Sequence, residues 1–544
     1  MEGHRNNRQS EPAVRPKVPM MRGSERDNQR SSNKPVDQKT ISVFDDGSNK
    51  KHLPALHQSF VHPIENFMFL QLPTLQSPDY QLRKPIDDII NRINDFEYNL
   101  HILLRLPHHR FWSTVIFDST VNMGLRSYIN NTPRFYLGPV TLDERITLVA
   151  NSIHKLVFKV YCRLSTPSED PKNCISTDYF GKVLFEKKIF DISLLMDLCA
   201  VYGNIYPETN QKLTLMVETV LNSNTYFKEH LESSIIAGKD KLNKIVNELG
   251  LNTDNDRIIV NSQQTHVIST LTWSHIVGII EHIVGTIVPI SFLISLSPTA
   301  AKSYRLQRFD TNLVEFYETL FPKLKDELTS RFAKDARAKK ASETIIRFLT
   351  ISRCCLINAF RNIIKYASLD NLLNNNVSMD EKTVIIDEYL DMISIASSSP
   401  CFSKDYFSKY SFDSDICLLM EKSELTGFRS VDPSRIDYLF NVIASNQGSS
   451  KKSSEKENSN PSDGFAPNLL AKLKYTEGPS KNGIQNKYSN TIDGNLLSSL
   501  VSQIKDFFPQ ISDDVVVNLL SSNNYDPEKV IDLISTGEIP NIFN

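Results

Sequence analysis

Several chemistries are excluded by what this 544-residue sequence lacks. Glycine is scarce, with 18 residues, and neither a G-x-x-x-x-G-K-[ST] nor a G-x-G-x-x-G loop is present. Phosphate-cradling nucleotide sites need backbone that only such glycines supply, so those classes fall away. No H-E-x-x-H is found, and no two of the seven cysteines (Cys162, Cys174, Cys199, Cys354, Cys355, Cys401 and Cys417) form a C-x-x-C pair. Their odd number and patternless spacing point to free thiols in a reducing compartment. Cys354-Cys355 falls in an apolar helical stretch and reads as core. Of twelve histidines only His108-His109 are adjacent, without further ligands nearby, so a surface role is expected and no metal or cofactor site. The acidic pairs Asp45-Asp46 and Asp87-Asp88 have no pocket context for acid–base work. No catalytic residue is nominated, and the chain is expected not to be an enzyme. A formal charge of −2 gives no whole-protein field for nucleic acid. Residues 1–30 are polar and hold no apolar h-region, so no signal peptide is expected.

One stretch is apolar enough to mislead. Ile276 to Leu296 nearly has the length of a membrane span, but it carries Glu281, His282, Gly278, Gly285 and Pro289. Two adjacent polar side chains would be costly in a lone span. Buried helices broken near Pro289 are expected, with no membrane partner.

The rest of the chain divides by composition. Residues 1–51 read as a disordered tail, with nine Lys or Arg against five acids in the first forty. Such a tail is either solubilising or an arm that touches RNA, a ribosome or an acidic partner. Residues 52–444 read as helical. In Asp87 to Leu106, Ile89, Ile90, Ile93, Phe96, Leu100 and Leu103 recur at helical spacing. Asp191 stands as an N-cap before the stripe of Ile192, Leu195, Met196, Cys199 and Tyr202, and Gly203 stands where that helix would stop. Thr344 to Ala367 is another helix, whose Arg347, Arg353 and Arg361 form a basic face, either solvated or in contact with an acidic partner. Period-2 runs are few, Leu156 to Val160 being the nearest. The expected fold is all-α: a large multi-helix domain, a disordered linker over 445–490 that includes the low-complexity run Ser449–Ser462, and a small C-terminal module over 491–544.

That module spells three short helices. Leu496, Leu500, Ile504 and Phe507 recur along the first, which Pro509 ends. Ser512 caps the second, which carries Val515, Val516, Leu519 and Leu520. Asp526-Pro527 opens the third, with Val530, Ile531 and Ile534 following and Gly537 closing it. Consecutive helical residues point about 100° apart, so Phe507 and Phe508 cannot both face inward. An exposed aromatic beside a proline corner is a candidate recognition patch.

The module resembles the CUE family of ubiquitin-binding domains. Phe507-Phe508-Pro509 matches the family's Met-Phe-Pro-like motif, and the family's di-leucine falls on Ile534 and Ser535, with Leu533 beside them. The resemblance implies that Phe507, Phe508, Pro509, Leu533, Ile534 and Ser535 contact ubiquitin. Ser535 departs from the pattern and lowers the expected affinity. Eight acids against two lysines in 491–544 complement the basic rim of ubiquitin's apolar patch.

Upstream, Phe111 to Asp118 (FWSTVIFD), Leu125-Arg126-Ser127-Tyr128 and Pro133-Arg134-Phe135 resemble the helical domain of the activating signal cointegrator 1 complex subunit 2 family. So do Val157 to Thr166 and Tyr179 to Gly203. The yeast counterpart of that family is the CUE subunit of the ribosome quality control trigger complex. The resemblance implies a non-enzymatic adaptor, cytoplasmic with nuclear residence also open. Its implied partners are ubiquitin and polyubiquitin chains, a DExH-type RNA helicase subunit, a zinc-finger cointegrator subunit and the ribosome, reached indirectly or through the basic tail. The implied setting is stalled or collided ribosomes, with alkylation-damage repair or transcription coactivation as alternatives. A CUE cofactor of a ubiquitin-conjugation or degradation machine is a further reading. Phe111, Trp112, Arg126 and Arg134 are the candidate partner-binding residues, with a core role the favoured alternative for Phe111 and Trp112.

Overall fold

The structure is a computed structural model that describes residues 34–44, 50–65, 67–69, 86–137, 144–203, 207–251, 267–372, 378–422 and 433–448, together with Val516 and Leu520. The chain divides into two units, Met1–Lys474 and Tyr475–Asn544.

The first unit begins with an extended strap. Residues 34–44 and 50–51, which composition groups with the disordered tail, are ordered. A single 3-10 turn at Val36–Gln38 leads into β1 (Thr40–Phe44), which pairs antiparallel with β2 (Lys50–Pro54), Thr40 opposite Pro54 and Phe44 opposite Lys50. The tail's composition hides the reason, which is long-range. The Asp37 carboxylate accepts from the backbone N–H and hydroxyl of Ser176 at 2.8 and 2.7 Å, Lys39 Nζ donates to the Lys172 carbonyl at 2.7 Å, and Val36 is buried. Past the hairpin the strap has no ladder to satisfy its amides, so side chains of the helices beneath accept them. The N–H of His62 donates to Thr114 Oγ1 at 2.9 Å, and that of Phe69 to Ser127 Oγ at 2.8 Å. Phe67 stacks on Phe96, centroids 4.6 Å apart.

Helices follow. α1 (Ile86–Arg105), α2 (His108–Phe117), α3 (Ser119–Asn131), α4 (Glu144–Leu164), α5 (Thr177–Glu186), α6 (Ile192–Tyr202), α7 (Pro207–Ser223) and α8 (Thr225–Glu248) make the first half. Leu156 to Val160 lies inside α4. Leu156, Val157, Val160 and Tyr161 are buried there, a 3.6-residue recurrence that outweighs the period-2 alternation. Near the end of α4, Arg163 closes α1: its guanidinium donates to the carbonyls of Leu103, Leu104 and Leu106 at 2.8, 3.2 and 2.8 Å. These are groups that a helix end leaves without partners. α6 starts as read, with Asp191 accepting from the Leu194 N–H at 2.8 Å, and ends at Gly203.

α9 (Val267–Thr270), α10 (Trp273–Leu296), α11 (Pro298–Leu306), α12 (Phe309–Lys334) and α13 (Ala336–Ile364) form the centre. α10 runs unbroken through Pro289, contrary to the expected break. Pro289 removes one i→i−4 hydrogen bond and crowds the Gly285 carbonyl, and the packing of its buried neighbours holds the helix continuous. By length and composition α10 could cross a membrane; here its apolar side chains are buried inside the protein. α13 widens into a π turn at Lys365–Leu369. The last helices are α14 (Met379–Ser398), α15 (Pro400–Lys409), α16 (Phe412–Lys422) and α17 (Pro433–Gly448).

Two arginines of the basic face of α13 are engaged within the fold. Arg353 hydrogen-bonds Asp405 of α15 and reaches Tyr317 Oη at 2.9 Å. Arg361 binds Asp415 of α16, which also accepts from Tyr389 Oη at 3.0 Å. Arg353 and Arg361 are therefore engaged in holding the last helices, while Arg347 donates to the Leu137 carbonyl at 3.3 Å. His108, expected at the surface, is buried, with Nδ1 3.2 Å from Glu169 Oε1. Burial would raise the Glu169 carboxyl, but hydrogen bonds from His108 and Arg163 outweigh it and hold it down at about 2.

The strap depends on one glycine. A Cβ on Gly124 would stand 2.2 Å from the Phe67 carbonyl oxygen. Alanine would favour α3 by about 1 kcal/mol in propensity, yet force the strap off the helix at a typical overpacking cost of about 1–3 kcal/mol. Gly124→Ala is expected to lower the thermal midpoint and to expose residues 50–69 to limited proteolysis. An unchanged midpoint and digest would refute the contact.

Candidate interaction site

The sequence nominates two regions, one in each unit. In the helical unit the nominated residues gather around α2, α3 and the start of α6. Asp118 ends α2 and caps α3, accepting from the Thr120 N–H at 2.9 Å. That tight junction brings Phe111 and Trp112 beneath α5 and aims α3 at the turn before α6. Phe111 and Trp112 are fully buried: the Trp112 ring meets Phe180 edge-on at 5.8 Å, and the Arg163 guanidinium covers Phe111 at 4.1 Å. Both act as core here, and truncating either would cost about 3–5 kcal/mol in stability.

Arg126 and Arg134 instead bridge. The Arg126 guanidinium donates to the Lys188 carbonyl at 2.9 Å and pairs with Asp191 at 2.9 Å. Lys188 is one of two described non-glycine residues in the left-handed region, φ 51°, and Asn122 Nδ2 also donates to its carbonyl at 2.7 Å. Arg134 pairs with Asp197 of α6 at 2.8 Å. Burial raises the Asp197 carboxyl, and Arg134 opposes that rise. Deeper, Tyr128 Oη lies 2.8 Å from His154 Nδ1, and Tyr202 Oη donates to the His154 carbonyl at 3.1 Å. Burial pushes the His154 imidazole down to about 4.

Sequence reasoning missed the side chains that this face presents. Phe117 and Met123 are about half exposed, and Lys187 Nζ lies 6.0 Å from the Phe117 ring centre. Phe117, five residues after Trp112 and six after Phe111, falls off their helical face at the last position of α2. Among the described residues no group of His, Cys, Asp and Glu could hold a metal ion. All seven cysteines are free, and burial raises the thiols of Cys354 and Cys355, the latter to about 12.

In the second unit, Val516 and Leu520 are helical and buried, four residues apart, on the expected stripe of the module's second helix. Phe507, Phe508, Pro509, Leu533, Ile534 and Ser535 lie outside the described residues.

Comparison with known proteins bears on both units. Residues 497–538 match the CUE domain family, a span that contains all six nominated residues. The chain is 24% identical over 522 residues to human activating signal cointegrator 1 complex subunit 2, covering 92% of this chain and 66% of the relative. To the mouse protein of the same name it is 25% identical over 467 residues, covering 82% and 60%. It thus spans somewhat less than two thirds of the curated relatives it matches. A chain in the crystal structure of a DNA repair complex, ASCC3-ASCC2, shares the fold with a TM-score of 0.65 at 23% identity, over 76% of this chain and 98% of that one.

Two outcomes follow from the geometry. His154 has a folded pKa of about 4 against 6.5 for a free imidazole. The unfolded chain therefore binds the proton first, and stability that is fully present above pH 6.5 is lost as pH falls from there towards 4, by up to about 3 kcal/mol. Thermal melts should fall across that window, and His154→Gln, whose amide oxygen can still accept from Tyr128, should flatten the fall. Second, the Arg126 pair is partly solvated, a class worth about 0–1 kcal/mol. Arg126→Ala should shift a denaturation midpoint by no more than that; a larger loss would mark it as a structural keystone.

Proposed function

We propose that this chain, a homologue of the activating signal cointegrator 1 complex subunit 2 proteins, is a non-enzymatic ubiquitin-binding adaptor subunit of a DExH-type RNA helicase complex. One observation carries the reading: along a single chain, a helical body with the fold of a chain from a two-protein complex precedes a match to the CUE family. In this reading the helical body docks the helicase through the face around α2, α3 and the turn before α6. Phe117, Met123 and Lys187 supply an apolar and cationic surface there. The CUE module reads ubiquitin through Phe507, Phe508 and Pro509, with Leu533, Ile534 and Ser535 on its third helix.

The setting we favour is the ubiquitinated, stalled or collided ribosome in the cytoplasm, which rests on the sequence resemblance to the yeast trigger-complex subunit. The structural neighbour belongs to a DNA repair complex, which favours a second reading, in which the same adaptor reads ubiquitin at damaged DNA in the nucleus. A zinc-finger cointegrator subunit would complete either assembly.

A pull-down with the full chain, scored by mass spectrometry, separates these. A DExH-type helicase with ribosomal subunits supports the first reading, and helicase with repair proteins the second. Ubiquitin without any helicase would overturn the docking account. Within the module, a central aromatic contact is worth roughly 1–2 kcal/mol, about tenfold in affinity. Phe508→Ala in the full chain should therefore weaken ubiquitin binding about tenfold while helicase capture persists. Identical chemical-shift changes in ubiquitin with both proteins would refute the assignment.

A further inference from the structure

Once Arg353 and Arg361 are accounted for, a cluster of accessible positive charge remains where α12 meets α13. α12 ends and α13 begins around Asp335, and Lys334, Arg337, Lys339 and Lys340 are all exposed within seven residues. Among the described residues none of the four has a carboxylate within salt-bridge distance, whereas Arg331 just before them is fully engaged. It pairs with Glu327 at 2.5 Å and donates to the carbonyls of Ile268, Ser269 and Leu271. Those bonds pin the link between α9 and α10 against the corner. Just after that link α10 opens with Trp273, partly exposed, whose ring meets Phe332 edge-on at 6.1 Å. The acids that share the corner are Asp326, Asp335 and Glu343; Asp335 is occupied as the cap of α13, accepting from the Arg337 N–H at 2.8 Å.

We propose that this corner, Lys334, Arg337, Lys339 and Lys340 with Trp273 beside them, is a binding surface for single-stranded RNA, separate from the ubiquitin module and from the face assigned to the helicase. A protein interface draws its affinity from buried aromatic or aliphatic anchors. The described residues between Arg308 and Ile345 include no large hydrophobic side chain that is well exposed. A polyanion needs none: it binds through cations that neutralise successive phosphates, with an aromatic on which a base can stack. Exposed cations clustered without partners repel one another, and a phosphate backbone relieves that repulsion.

The full chain allows a direct test, because its only tryptophans are Trp112 and Trp273 and the former is fully buried. Titration with a twenty-nucleotide oligouridylate at low salt should quench tryptophan emission and raise the anisotropy of labelled RNA. Changing Lys334, Arg337, Lys339 and Lys340 together to glutamine should weaken binding at least tenfold. It should also flatten the salt dependence by about 0.7 in log–log slope for each phosphate that is no longer neutralised, while leaving ubiquitin binding and the melting curve unchanged. Trp273→Phe should abolish the quench and retain most of the affinity. Equal RNA affinity and slope in the fourfold variant would overturn the proposal, as would loss of all binding on removing residues 1–33 alone. Equal competition by polyglutamate would also overturn it, since the occupant would then be an acidic peptide. These readouts do not involve the helicase, so failure here leaves the adaptor reading standing, and the reverse.

Discussion

A long helix with a broad apolar face has to bury it, and α10 imposes that constraint on the helical unit. Ile276, Ile279, Ile280, Ile283, Val284, Ile287 and Val288 line one face of its first half and are buried, and from Ile290 to Leu296 every residue but Ser295 is buried. α13 and α6 flank it along its length, with α7, α8 and α11 against the remaining surface. Each large side chain removed from water contributes about 1.5–3 kcal/mol, so α10 outweighs any single polar contact in this unit. Polar bonds fix its register instead: Ser291 Oγ of α10 donates to the Cys355 carbonyl of α13 at 2.7 Å. Glu281 and His282 are tolerated because both lie on the exposed flank of its first half.

Around that spine, arginine does most of the joining. Arg163 and Arg331 each spread one guanidinium over three consecutive carbonyls or near neighbours at the close of another helix, using the planar fork of donors that lysine lacks. Arg353 and Arg361 bind carboxylates of α15 and α16 in half-buried positions. Removing one partner of such a pair leaves a charge with poor solvation, which costs several times what a surface pair contributes. The consequence for function is a sorting of charge. Arginines are consumed inside the fold, and the cations left for partners are mostly lysines on corners and turns.

Local signals were legible in the sequence where one short stretch settles the outcome. Asp191 as a cap, Gly203 as a stop and the stripe of the first helix needed only their neighbours, and Val516 and Leu520 sit on the predicted face of the module's second helix. What escaped depends on distant partners. The ordering of residues 34–44 rests on Ser176 and Lys172, more than 130 positions away. The fate of Arg353 and Arg361 rests on Asp405 and Asp415, which lie on later helices. Continuity through Pro289 has the same origin, since local propensity disfavours it and the surrounding helices override the local preference. The candidate site divides likewise. Motif identity is legible for Phe507-Phe508-Pro509, but whether Phe111 and Trp112 face a partner or the core required the packing.

In the proposed reading, the serine at position 535 would shape how such an adaptor works. In the CUE family a leucine stands there, and a leucine buried at an interface contributes up to about 1.5–3 kcal/mol. Its loss would weaken a single ubiquitin contact by one or two powers of ten. A module weakened in that way gains useful occupancy only when a second attachment raises its local concentration, which a short flexible tether brings into the millimolar range. The polar stretch from Ser449 to Ser462 has the composition of such a tether, and the helical unit ahead of it is a body large enough to supply the second attachment. Weak reading is then an advantage. A ubiquitin chain on an unrelated protein would be released quickly, and only a chain close to the helical unit's own docking site would hold the module long enough to matter.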